Sequence, residues 1–257
     1  VVLDLGLAGN MTGREVARLA EIGKQVDQWI PEAHPGGVRA IEEDHWLVGH
    51  QRVALVLEDT KPVVPPAARH LHYLLKTPFR YPPLKWGSRF GGVHEPGIFY
   101  AGCSIAVTLA ESAYYRLLFW QSMPAPPPKP ILRTAHTLFS AQYQTDRGIA
   151  LHQPPFIQHQ AMLTSKTDYQ HTQQLGTAMR NSGVEAFEYQ SARATGIEYC
   201  VGQFTPAAFT ANQPEQSGQW LCELSAQQVV FKQHSETQLH AFSAEQFWVE
   251  GKLPLPA

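Results

Sequence analysis

Residues 80–111 read Arg-Tyr-Pro-Pro-Leu-Lys-Trp-Gly-Ser-Arg-Phe-Gly-Gly-Val-His-Glu-Pro-Gly-Ile-Phe-Tyr-Ala-Gly-Cys-Ser-Ile-Ala-Val-Thr-Leu-Ala-Glu, and the rest of the chain is organised around them. Gly87, Gly91, Gly92, Gly97 and Gly102 punctuate the stretch. Glycine permits turns closed to other residues and lets a ligand approach the main chain. Pro82, Pro83 and Pro96 stiffen the intervening turns. From Ser104 the pattern becomes apolar and helical, and it reaches a carboxylate at Glu111. Two arginines, Arg80 and Arg89, and two tyrosines, Tyr81 and Tyr100, precede it. Guanidinium forks, aromatic rings and open backbone around an acid predict a substrate with phosphate and a stackable ring.

Working outward, Ser104 is a good helix cap, and Ile105, Leu109, Ser112 and Arg116 fall on neighbouring turns, so the spacing predicts a helix over 104–120. The proline-rich run 124–130 reads as an extended connector. Beyond it, 131–139, 184–190, 198–204, 227–232 and 238–242 read as strands. Residues 169–181 read as a helix closed by Ser182-Gly183, and 146–160 as irregular. Toward the N-terminus, 70–76 is a short strand or helix, and 61–66 is irregular. Residues 42–58 read as a helix, although 53–57 also suits a strand. His34-Pro35-Gly36-Gly37 is a turn. Residues 14–30 form an amphipathic helix, capped by Thr12 with Glu15 three residues on and ended by Pro31. Short strands interleaved with a few helices predict an α+β fold. The division expected is an N-terminal helical extension over 1–66 and one main domain over 67–257.

Composition narrows the function. The chain has 257 residues, 44% of them hydrophobic, enough for a sizeable core. A formal charge of −2 gives no reason to expect direct nucleic-acid contact or an acidic membrane surface. Cys103, Cys200 and Cys222 lie far apart, which fits a reducing compartment rather than a disulfide framework. No run approaches the roughly 18 apolar residues of a membrane span. The first ten residues lack the basic flank of a signal peptide, and Met11 is a candidate natural start. A cytoplasmic protein is the default expectation. His70-Leu71-His72 lacks a Cys or carboxylate at zinc spacing, so no metal site is expected. Neither the dinucleotide-binding glycine fingerprint nor the phosphate loop is present.

Four blocks together resemble the RES domain, a family named for an arginine, a glutamate and a serine. They are Arg80-Tyr81, Gly-Ser-Arg-Phe at Arg89, Phe-Tyr-Ala at Tyr100 with Glu111 behind it, and Ser191-Ala192-Arg193. The resemblance covers about residues 80–204, and its members include toxins of bacterial toxin–antitoxin pairs that degrade NAD. It implies a compact core related to ADP-ribosyltransferase toxins, with NAD as substrate and no cofactor. It implies Arg89, Tyr100, Glu111 and Ser191 as the catalytic set, with Arg80, Tyr81 and Arg193 binding NAD. It also implies an antitoxin partner carrying a helix-turn-helix, so that DNA contact belongs to the partner. The long segment before Arg80 departs from compact members and resembles a longer subfamily.

The chemistry fits these residue types. Breaking the nicotinamide–ribose bond builds positive charge on the sugar, as in glycoside cleavage. Nicotinamide leaves neutral, so one carboxylate, Glu111, suffices to stabilise the sugar. Read without the resemblance, Glu111 is more readily a helix-surface glutamate making an exposed pair with Arg116 or another neighbour. Arg80 and Arg89 can grip phosphate, Tyr81 and Tyr100 can stack or bond a ribose, and Ser191 can orient Glu111 or a ribose hydroxyl. Arginine-directed ADP-ribosyltransferases resemble one another in a Glu-x-Glu pair, and here Leu109 stands two residues before Glu111. Water or inorganic phosphate is therefore the favoured acceptor. A protein acceptor and a non-catalytic NAD-binding module are the alternatives.

Overall fold

The computed structural model describes residues 38–43, 62–81, 86–125, 127 and 129–255. The expected helix at 14–30, the turn at 34–37 and most of the expected helix at 42–58 lie outside the described residues.

In chain order the elements are β1 (Val38–Glu43), α1 (Tyr73–Arg80), β2 (Phe99–Gly102), α2 (Ile105–Gln121), β3 (Leu132–Ala141) and β4 (Gly148–Ala150). There follow α3 (Gln160–Leu163), α4 (Gln170–Asn181), β5 (Ala186–Gln190), β6 (Tyr199–Gln203), β7 (Gln216–Leu224), β8 (Gln228–Gln233) and β9 (Leu239–Ser243). The nine strands make one sheet in the order β4-β5-β6-β2-β1-β3-β7-β8-β9. Every pairing is antiparallel except β4 with β5. The fold is mixed α and β, as the interleaved short elements predicted.

β1 joins the two halves of the sheet. Its backbone runs in register with β3 from Val38↔Ala141 to Glu43↔His136, and Arg39 pairs with Gly102 of β2. A strand from the segment assigned to an extension thus stands at the middle of the sheet. Glu42 and Glu43, expected to open a helix, end this strand instead.

The strands of the first half alternate faces with the period of two that a pleated strand imposes. Phe99 and Ala101 of β2 and Val201 of β6 enter a core with Leu74, Leu75 and Phe79 of α1. Phe187 and Tyr189 of β5 and Cys200 of β6 enter a second core on the other face, and Tyr100 packs against it. Over the second half, α2 buries Leu109, Ala113, Tyr114 and Leu117 against Trp220, Cys222, Leu224 and Phe231. Each such leucine contributes about 1.5–3 kcal/mol by leaving water, so α2 is held firmly on the sheet.

Two further differences from expectation have physical reasons, and one open reading is resolved. Residues 146–160 contain β4 and a 3-10 turn at Phe156–His159, because Gly148–Ala150 finds a parallel partner in β5. β7 begins with polar residues and shows its alternation only from Trp220, where Trp220, Cys222 and Leu224 turn inward. The 70–76 segment resolves as helix. His72 caps α1, its Nδ1 accepting from the Leu74 amide at 3.3 Å.

Candidate active site

Glu111 owes its position to the start of α2. Ser104 Oγ accepts from the Val107 amide at 3.2 Å and donates to Glu198 Oε2 at 3.0 Å, which ties the helix to the segment before β6. The helix leaves β2 in a tight bend. A Cβ on Gly102 would stand 2.4 Å from Thr108 Oγ1, closer than real contacts allow. Two turns into α2, Glu111 is half-buried and faces the end of β5.

There it meets Ser191. The Ser191 hydroxyl donates to Glu111 Oε1 at 2.5 Å. Ser191 Oγ itself accepts from the backbone amides of Arg193 at 3.0 Å and Ala194 at 3.1 Å. With its lone pairs taken by two amides, the hydroxyl proton is directed to the carboxylate. Glu111 Oε2 has no bonded partner among the described residues. The alternative of a surface glutamate paired with Arg116 does not hold. Leu109, two residues earlier, is fully buried in the core, because two residues of helix turn a side chain well past a right angle.

Arg89 sits at the tip of a tight turn in which the Ser88 amide donates to the Gly91 carbonyl at 2.8 Å. Gly87 has φ of +80°, the left-handed region that glycine tolerates. Two elements clamp this turn. From α4, Gln173 Nε2 donates to the carbonyls of Trp86 at 3.0 Å and Ser88 at 3.1 Å. Gly176 of α4 lies against the Phe90 backbone, so that a Cβ there would be 1.8 Å from the Phe90 carbonyl oxygen. From β2, the Tyr100 oxygen accepts from the Phe90 amide at 3.1 Å and bonds Ser88 Oγ at 3.0 Å. Burial pushes the Tyr100 hydroxyl up to about 12, so it stays protonated at neutral pH. Tyr100 thereby ties β2 to the Arg89 turn.

Arg89 is 5% exposed. Its Nη1 donates to the carbonyls of Leu163 at 3.2 Å and Ser165 at 2.8 Å, and Nη2 donates to the Tyr169 hydroxyl at 3.4 Å. Burial opposes its charge, but Tyr169, Glu111, Tyr189 and Tyr115 together outweigh burial and leave its pKa raised. Arg193, 2% exposed, donates through Nη2 to the Lys166 carbonyl at 3.2 Å and to the Tyr169 hydroxyl at 2.9 Å. Its guanidinium lies 3.5 Å above the Tyr114 ring. Among the described residues neither arginine forms an ion pair with a carboxylate. Two buried cations beside a single half-buried acid make a site short of negative charge.

Arg89, Tyr100, Glu111, Ser191 and Arg193 thus fall on one face of the first half-sheet, although α2, β2 and two loops supply them. Arg80 and Tyr81 come from the end of α1, where the Tyr81 carbonyl lies against Gly97. Arg80 Nε donates to the Pro62 carbonyl, and Tyr81 is 38% exposed. The sequence reading missed three tyrosines of the site. Tyr115 lies one helical turn past Glu111 and is partly exposed. Helical spacing of four from Glu111 was the available signal. Tyr189 packs between Phe90 and Tyr100, and Tyr169 opens α4, neither with a local signal of function.

A family model described as the RES domain matches residues 64–225, more than half of the chain. The chain belongs to the RES-domain family. The match runs from before α1 through β7 and includes all five residues gathered here, while β1, β8 and β9 lie outside it. No curated protein matches the chain. Among the described residues, no helix of the RES-domain protein is long and apolar enough to cross a membrane.

Proposed function

We propose that this RES-domain protein cleaves the nicotinamide–ribose bond of NAD, as a toxin held in check by an antitoxin with a helix-turn-helix. The observation that carries the reading is Glu111, aligned by the 2.5 Å bond from Ser191 beside two buried guanidiniums that form no ion pair among the described residues. In the proposed reaction the C–N bond breaks with its electron pair going to the nicotinamide nitrogen, which neutralises the ring. Glu111 stabilises the positive ribose that remains, electrostatically and in a site that already carries the required orientation. Arg89 has two N–H groups without partners among the described residues, Nε–H and one on Nη2. A guanidinium binds phosphate through such N–H groups, and the NAD pyrophosphate is the anion proposed for them. Arg80 and Tyr81 are proposed as further NAD-binding residues.

Attack of water on the ribose carbon gives ADP-ribose and a proton, and attack of inorganic phosphate gives ADP-ribose-1″-phosphate. No cofactor is needed for either. Transfer to a protein is disfavoured, because the position of a second carboxylate is a core leucine, Leu109. The test is incubation of purified protein with NAD, with and without phosphate, and mass identification of the products. Nicotinamide release is expected, with turnover falling at least about a hundredfold in Glu111→Gln. Wild-type turnover by Glu111→Gln would remove Glu111 from the mechanism, and label carried from NAD onto protein would favour the transferase.

A further inference from the structure

Tyr169 is 1% exposed and immediately precedes α4. Its oxygen accepts from Arg89 Nη2 at 3.4 Å and from Arg193 Nη2 at 2.9 Å. Its ring also carries the Arg89 guanidinium, 4.5 Å from the centroid. One phenol thus holds two cations that repel each other. The other acceptors on these arginines are the carbonyls of Leu163, Ser165 and Lys166, from the segment leading to Tyr169.

All of these acceptors are neutral. A carboxylate in the same place would hold the arginines and also cancel their charge. A phenol and carbonyls fix the geometry and leave the positive charge in force. The consequence shows on each guanidinium. Among the described residues Arg193 Nη1 is enclosed and has no partner, and Arg89 keeps Nε–H and one Nη2 hydrogen for another acceptor. Arg89 cannot swing freely to meet that acceptor, because Nη1 is tied twice to the 163–165 backbone and Nη2 once to Tyr169.

We propose that Tyr169 is a positioning residue for the substrate's pyrophosphate: its oxygen sets the open N–H groups of Arg89 and holds Arg193 behind them without neutralising either arginine. The proposal rests on the NAD reading above. It predicts a role in binding the anionic part of the substrate, separate from the bond-breaking step at Glu111. Tyr169→Phe keeps the ring, and so the stacked guanidinium, and removes only the shared acceptor.

The experiment compares wild type with Tyr169→Phe by steady-state NAD turnover, and by calorimetric binding of ADP-ribose and of nicotinamide. ADP-ribose carries the pyrophosphate, and nicotinamide does not. The expected result is a KM raised about tenfold with kcat within about threefold, ADP-ribose bound about tenfold more weakly, and nicotinamide affinity unchanged. Unchanged KM and ADP-ribose affinity in Tyr169→Phe, with an active wild type, overturns the role of Tyr169 alone. So does a variant that melts much lower and loses kcat and both ligands together, which is the mark of a purely structural tyrosine. A wild type that releases no nicotinamide and binds no ADP-ribose overturns the NAD reading itself.

Discussion

The Ser191 hydroxyl is engaged three times, donating to Glu111 and accepting from two amides of its own loop. Each bond has a different consequence. The amide bonds shape the turn after β5 and so place Arg193, while the bond to Glu111 orients the carboxylate. Ser191→Ala removes all three at a residue only 3% exposed. Leaving the buried amides unmatched costs about 1–3 kcal/mol, which denaturant melts would show. Misalignment of Glu111 is expected to lower NAD turnover by up to about a hundredfold beyond any loss of folded protein. Full turnover in a folded Ser191→Ala protein would mean that Glu111 needs no orienting partner. The residue types of this site were legible in the sequence, but the bond joining two of them was not. Ser191 and Glu111 stand 80 positions apart, and nothing local to either reveals the other.

At the scale of elements, α4 does more than cover the sheet. Gln173 and Gly176, three residues apart on one face, fix the turn that carries Arg89. Two effects compete at Gly176. Alanine in a helix interior is favoured over glycine by roughly 1 kcal/mol. A Cβ 1.8 Å from the Phe90 carbonyl oxygen, however, demands that a packed backbone move, and overpacking of this kind costs about 1–3 kcal/mol. Gly176→Ala is therefore expected to lower the melting temperature and to weaken NAD turnover through the displaced Arg89 turn. A higher melting temperature would show that propensity wins. The helices α2 and α4 and the strands β3, β5, β6, β8 and β9 were readable from period, caps and β-branched or aromatic content. β2 was hidden by the glycines around it, and β4 by its length of three residues, too short to show a period.

The whole molecule depends on pairings that connect distant parts of the chain. β1 fills the gap between β2 and β3, so without it each would present an unpaired edge in the middle of the sheet. Exposed edges of that kind invite association between chains. A protein beginning at Pro62 is expected to aggregate or melt well below the full chain, seen by size-exclusion chromatography and thermal denaturation. A monomer of unchanged stability would mean that 38–43 is dispensable to the fold. What the sequence determined by itself was the set of short strands and helices, the mixed fold class, and the kinds of side chain the chemistry requires, because period, capping and residue type are local properties. Only the tertiary structure decided that Tyr100 ties β2 to the Arg89 turn, that Ser191 meets Glu111, and that Tyr169 joins two arginines. Those outcomes depend on which face of each strand and helix meets which neighbour, and that is settled only when the distant segments pack.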